Sequence, residues 1–304
     1  MQDPTQLYRL ETDADLPALR ASTMVVAMGS FIDAGHTQRL ISDHLTGGLE
    51  SRVVASFDVD QLLDYRGRRP LMTFDKDRYT SYDDPALLLH HVIDEDGVPF
   101  LLLAGPEPDY QWERVVEAVR GLEAMFGVTL TVTVHGIPMA VPHTRPVGIT
   151  RHASDSRLIP DNEPVFDTVQ VPGSFAGLLE LRLGEAGKDV IGFSLHVPHY
   201  LAQTDYADAA LTGLRAVSGA SGLSLPTADL AALAGVNRQQ LAAEISGNEE
   251  VGQVVAALEE QYDQFVRGLE RPSLLAQSPG ELPTADEIGA EFEQFLRTQT
   301  DRES

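Results

Sequence analysis

The sequence predicts an α/β fold: a mostly parallel sheet flanked by helices, with an inserted β-hairpin and a C-terminal all-helical subdomain. Three observations predict it. Short unbroken apolar runs, such as Thr23–Met28 and Pro99–Ala104, read as strands buried on both faces. Segments with apolar residues at helical spacing alternate with them, as in strand–helix crossover units. After Gly222 the strand pattern stops and only helical periodicity remains.

The elements follow in order. Thr23–Met28 ends at Gly29, and a helix is expected from Ala34 to Leu45, stopped by Gly47-Gly48. Arg52–Phe57 reads as the second strand. Leu87–Asp94 and Pro99–Ala104 read as two more, joined by Asp94-Glu-Asp-Gly97, where Asp-Gly between apolar runs signals a hairpin. Pro108–Gly127 carries Trp112, Val115, Val116, Val119, Leu122 and Phe126 on one helical face. The β-branched run Val128–Val134 is a strand. Val147–His152 and Asp189–Val197 are further strands, and Ser174–Leu183 and Asp205–Val217 are helices.

The alternation breaks between Asp58 and Pro85. Two extended stretches, Leu62–Tyr65 and Leu71–Phe74, flank Tyr65-Arg-Gly-Arg-Arg-Pro70, which reads as an inserted hairpin projecting from the core, with a mobile loop as the alternative. The expected domains are therefore residues 1–222, an α/β core with the insertion at about 58–85, and residues 223–304, an acidic helical lid. In the second, Thr227–Ala234, Arg238–Ile245, Asn248–Leu269 and Thr284–Thr298 read as helices, with a proline-bearing linker at Arg271–Pro283. Thr284 and Glu287 fit a capping box.

Composition excludes several functions. The 304 residues include 46 acidic and 22 basic side chains, a formal charge of −24 that repels nucleic-acid phosphate. Cysteine is absent, which removes disulfides, thiol nucleophiles and thiolate metal sites. No apolar stretch is long enough to span a bilayer, and the acidic N-terminus lacks an apolar signal region, so a soluble, cytoplasmic protein without nucleic-acid or membrane partners is expected. Phosphate-binding glycine loops, dinucleotide fingerprints, paired-histidine zinc motifs and the nucleophile elbow are all missing.

Four loops at the expected carboxyl ends of strands hold the candidate chemistry, since ligands bind along that edge of an open parallel sheet. They begin at Gly29, Gly105, His135 and His196. Gly29, Phe31 and Asp33 precede a helix whose first amides can meet an anion, or which Asp33 merely caps. Arg145 beside His143 can hold a carboxylate or phosphate, or form a structural ion pair. His196 and His199 can approach one metal, but Pro198 separates them and no third ligand has diagnostic spacing. His90 and His91 point to opposite strand faces. Gly29, Phe31, Asp33, Gly105, His135, His143, Arg145, His196 and His199 are thus candidate ligand-binding residues of one concave site; no catalytic residue, metal or cofactor is assigned.

Three segments together resemble the proteasome assembly chaperone 2 family, most closely its long actinobacterial branch with a helical C-terminal extension. They are Met24-Val-Val-Ala-Met-Gly-Ser-Phe-Ile-Asp-Ala-Gly35, Leu101-Leu-Leu-Ala-Gly-Pro-Glu-Pro108 and His135-Gly-Ile-Pro-Met-Ala-Val-Pro-His-Thr-Arg-Pro146. The resemblance implies a core like the nucleoside phosphorylase and hydrolase folds, a hairpin used for self-association, often as a trimer, and a helical lid over a cleft. It also implies a proteasome-related protein partner, because relatives assist assembly of proteasome α-rings. The final residues, Thr300-Asp-Arg-Glu-Ser304, depart from the tyrosine-bearing tail with which eukaryotic relatives reach that ring. Two functions are therefore expected: a non-catalytic assembly or interaction protein, or a small-molecule binding protein or enzyme using the cleft.

Overall fold

The computed structural model describes residues 2–11, 18–29, 33–162, 164, 168–247 and 249–269. Its main sheet has eight strands in the order β1-β3-β6-β7-β2-β8-β10-β9. These are β1 (Tyr8–Leu10), β2 (Thr23–Gly29), β3 (Glu50–Phe57), β6 (Leu88–Ile93), β7 (Pro99–Pro106), β8 (Leu130–Met139), β9 (Ile149–Ala153) and β10 (Asp189–Pro198). The central strands β7, β2, β8 and β10 are parallel. β6 runs antiparallel between β3 and β7, and β1 and β9 close the edges antiparallel. β4 (Met72–Asp75) and β5 (Arg78–Tyr82) form a separate two-stranded sheet.

The central strands are apolar on both faces because helices cover both. Val25 and Ala27 of β2 meet α1 (Thr37–Gly48) and α4 (Ala207–Ser221), in a core that includes Ile41, Leu45, Leu214 and Val217. Met24, Val26 and Met28 point the other way, into a core with Val115, Val119 and Phe126 of α2 (Trp112–Phe126) and Leu179 of α3 (Phe175–Glu185). The alternation along one strand therefore serves two helical layers.

Several expectations shift. α2 starts at Trp112 instead of Pro108: Gln111 is left-handed and the Trp112 indole N–H donates to the Pro108 carbonyl at 2.6 Å. β8 continues to Met139, paired with β10 along its full length. β1, which the sequence reading did not contain, is a three-residue strand held by β3. The hairpin turns at Lys76, with φ 55°, and not at Tyr65–Pro70. Leu62 and Leu63 instead enter the core, and Arg68 ties that loop to Asp109 at 2.7 Å.

The helices expected at Thr227–Ala234 and Arg238–Ile245 are one, α5 (Ala228–Ser246). A single interior glycine, Gly235, costs about 1 kcal/mol and does not break it. Asn237 pins α5 to α4 by accepting from the Ala207 amide at 3.2 Å. α6 spans Glu249–Leu269. The linker, the capping box and the helix expected at Thr284–Thr298 lie outside the described residues, as does Phe31. Among the described residues, those up to Glu259 make one compact unit, and those from Glu260 to Leu269 fall outside it.

Candidate functional site

Two features of the first unit are candidates for function. One is a cleft of about 430 Å³ at the carboxyl ends of β2 and β7, walled by α1 and β6. Gly29, Asp33, His36, Arg39, His90 and Gly105 line it, and among the described residues nothing beyond Pro106 does. Asp33 accepts from the Gln38 amide at 2.9 Å and the Arg39 amide at 3.3 Å. Its own carboxylate thus takes the helix N-terminus, where an external anion would bind. Burial pushes the Asp33 carboxyl above its usual range, and those amide bonds oppose the shift.

Two of the basic side chains that line the cleft already meet acids. His36 Nδ1 lies 2.6 Å from Asp205, and Arg39 bonds the same carboxylate and reaches Asp43 at 3.7 Å. Burial pushes the His90 imidazole toward its neutral form. Gly105 shapes the wall: its φ is +131°, and a Cβ there would lie 2.2 Å from the Ala86 carbonyl oxygen.

The remaining predicted residues lie elsewhere. His143 bonds Tyr200 through its amide at 2.9 Å and Nδ1 at 2.7 Å, and His199 packs edge-on against the same ring. Beside them Arg145 lies 3.3 Å from Glu259 of α6. His135 and His196 project from the sheet face opposite the cleft: with Thr133, His135 alternates against Val132 and Val134, and His196 against Leu195 and Val197. Thus one set of strand ends feeds three separate places, and of the predicted residues that are described only Gly29, Asp33 and Gly105 share the cleft.

Around His135 stands a polar network absent from the sequence reading. Ser194 Oγ lies 2.9 Å from His135 Nε2 and 3.2 Å from His152 Nε2, and His152 Nδ1 lies 2.8 Å from Glu180 Oε2. His196 pairs with Thr150 at 2.8 Å. The signal was present in Gly192-Phe-Ser-Leu-His196 and Gly148-Ile-Thr-Arg-His152, where small or polar residues alternate with others; the register that joins them was not.

Burial, followed by the charge of His152, pushes the His135 pKa down from 6.5 to about 4. Between those values the unfolded chain binds a proton that the folded chain refuses, so stability rises with pH there. Thermal unfolding should show His135 contributing fully above pH 6.5 and losing up to about 3 kcal/mol as pH falls to about 4. A pH slope that persists undiminished in His135→Gln would remove this residue as its source.

The second feature is the hairpin. All nine residues of β4 and β5 are exposed, among them Met72, Phe74, Tyr79 and Tyr82, with Leu71 just before them at 76 %. Phe74 and Tyr79 meet edge-on with ring centres 5.1 Å apart. The base is firmly fixed: the Asp109 and Tyr110 amides both donate to the Leu62 carbonyl, and Arg68 bonds the Glu107 carbonyl. A two-stranded arm whose entry loop is tied to the core and whose aromatic residues are bare has the composition of an interface core.

The comparisons agree with this architecture. The profile of the PAC2 family matches residues 27–245, and the chain belongs to that family. A Mycobacterium tuberculosis protein of unknown function is 47% identical, with a TM-score of 0.84 over 88% of this chain and 92% of its own. A Corynebacterium glutamicum protein of unknown function is 38% identical, with a TM-score of 0.77 over 86% and 98%. A proteasome-assembly chaperone homologue of M. tuberculosis shares the fold at 22% identity, with a TM-score of 0.69 over 77% and 99%. No curated protein matches. Among the described residues no helix is long and apolar enough to cross a membrane.

Proposed function

We propose that the protein is a non-catalytic assembly factor of the chaperone kind, working in the cytoplasm as a homo-oligomer, with a trimer as the expected form. The exposed hairpin carries this reading. An isolated two-stranded sheet is marginal in water, and its large apolar side chains gain most when another chain covers them. Membership of the PAC2 family, together with the shared fold of a proteasome-assembly chaperone homologue, supports a proteasome-related partner. The helices after Gly222 act in this reading as a lid-like docking surface, and their acidity favours a partner with basic patches.

A second reading rests on the cleft, whose volume suits a small molecule. Gly29, Asp33 and Gly105 would line that site. The paired state of Arg39 and His36 favours the assembly reading, because among the described residues the guanidinium and the imidazole that line the cleft already share the Asp205 carboxylate.

The test is an assembly assay. Purified, unassembled proteasome α-subunits are mixed with the protein and ring formation is followed by native mass spectrometry. The rings should form at least about tenfold faster with the protein, as expected when binding supplies about 1.4 kcal/mol to a limiting encounter. Unchanged kinetics at several-fold excess would reject the chaperone reading.

A further inference from the structure

On the sheet face opposite the cleft, we infer that Ser194 is a nucleophilic hydroxyl, activated by His152, which Glu180 positions, and that it accepts an acyl group from activated carboxylic esters. Hydrogen-bond accounting carries the inference. Ser194 Oγ has one proton and two imidazole neighbours, His135 Nε2 at 2.9 Å and His152 Nε2 at 3.2 Å. Glu180 Oε2, 2.8 Å from His152 Nδ1, accepts a hydrogen bond from that nitrogen. In the neutral ring His152 Nε2 is then a lone pair, and Ser194 donates to it. His135 Nε2 must in turn carry a proton and donate to Ser194 Oγ, which leaves a lone pair on His135 Nδ1, a buried atom without a partner.

This is the less costly orphan, since buried unpaired N–H groups are rarer than unpaired acceptors. The opposite assignment would bury an unpaired N–H at His135 and turn the Ser194 proton away from His152. Burial keeps His135 neutral, consistent with a single tautomer. The order is therefore carboxylate, imidazole, hydroxyl, the arrangement that activates serine nucleophiles, recognised by geometry and not by chain position.

The sheet itself builds the cradle. Gly192 pairs with His152 across β10 and β9, and a Cβ on Gly192 would lie 1.9 Å from the His152 ring. A glycine there lets the imidazole lie flat on the sheet, aimed at Ser194 two residues on. The His152 side chain is 35% exposed on the edge strand, so a small ester can approach from that side, while Ser194 is 8% exposed.

In the reaction Ser194 Oγ forms a bond to the ester carbonyl carbon and its proton passes to His152 Nε2. The carbonyl carbon–oxygen bond to the leaving group breaks as His152 Nε2 returns that proton to the departing oxygen, so the alcohol or phenol leaves, Ser194 is left as an acyl ester and His152 is neutral again. β10 is paired on both sides at Ser194, which commits its amide to the ladder and away from an oxyanion. One slow equivalent of acylation follows, instead of turnover.

The experiment uses the full chain and p-nitrophenyl acetate, with released p-nitrophenolate followed by absorbance and the acetyl group located by peptide mass spectrometry. One acetyl on Ser194 is expected, and its loss in Ser194→Ala. His152→Ala should slow acetylation about 100-fold, with partial recovery on adding free imidazole, a response that a purely structural role would not give. Glu180→Gln should slow it about tenfold and leave the fold unchanged by circular dichroism. Acetate found only on Lys76, Lys188 or the N-terminus overturns the inference. So does an unchanged Ser194 rate in His152→Ala, or a loss there that imidazole does not restore.

Discussion

Gly105→Ala should destabilise the protein by about 3–5 kcal/mol, lowering the midpoint of thermal unfolding by about 10 °C. The new methyl would lie 2.2 Å from the Ala86 carbonyl oxygen and 2.8 Å from Leu87 Cα, both backbone atoms. Neither can swing aside as a side-chain tip would. The φ of +131° adds strain, because this region is open to glycine almost alone. Relief requires β7 to separate from the strand entry at Leu87, which widens the cleft. Gly47→Ala is the contrast: a Cβ at Gly47, in α1, meets nothing within 4 Å, so it should leave stability equal or raise it by about 0.5–1 kcal/mol. Calorimetry on the pair decides. Equal midpoints would mean that the Gly105 backbone is not held as described.

The second large effect is on association. Phe74→Asp with Tyr79→Asp should weaken self-association about a thousandfold, from about 2 kcal/mol lost at each buried aromatic anchor. Both side chains are more than half exposed in the single chain, at 58% and 67%, and outside the core, so the α/β core should be unaffected. Within the single chain their removal costs only their mutual edge-on contact in the hairpin, and the large effect falls where another chain covers them. Hydrogen exchange of the amides from Met72 to Tyr82 gives the same result by another route. In the unaltered protein those amides should be protected at high concentration and exposed on dilution, and in the variant exposed at both. A core role for the hairpin would instead lower the unfolding midpoint of the variant without any change of mass.

The sheet was legible because its central strands are apolar on both faces, and Met24–Met28 and Leu101–Ala104 are too short and too β-branched or bounded by glycine to be read first as helices. The β3, β6 and β7 segments were equally plain, with Asp94–Gly97 as their turn signal. β1 was not, since three residues, Tyr8–Leu10, give no periodicity and are fixed only by pairing with β3. The hairpin turn was misplaced because Leu62 and Leu63 have the apolar character of a strand yet serve to anchor the loop in the core.

The candidate site was legible residue by residue but not as an arrangement. Asp33 and Gly105 were found from their position after strands, a consequence of topology. His135 and His196 also lie toward strand ends, but a period of two turns them to the opposite face from the cleft. Which face a strand residue takes depends on which neighbours it must bury. Ser194, His152 and Glu180 come together across β10, β9 and α3, and that meeting depends on a register that only the folded sheet sets.

The central claim is that the hairpin joins copies of this chain. Light scattering on the unaltered protein at tens of micromolar, coupled to size exclusion, tests it most directly. The predicted result is a mass that is a whole multiple of 33.1 kDa, three being the expected number, which falls to 33.1 kDa when Phe74 and Tyr79 become aspartate. A mass of 33.1 kDa at every concentration, or a multiple that survives the double substitution, would contradict it.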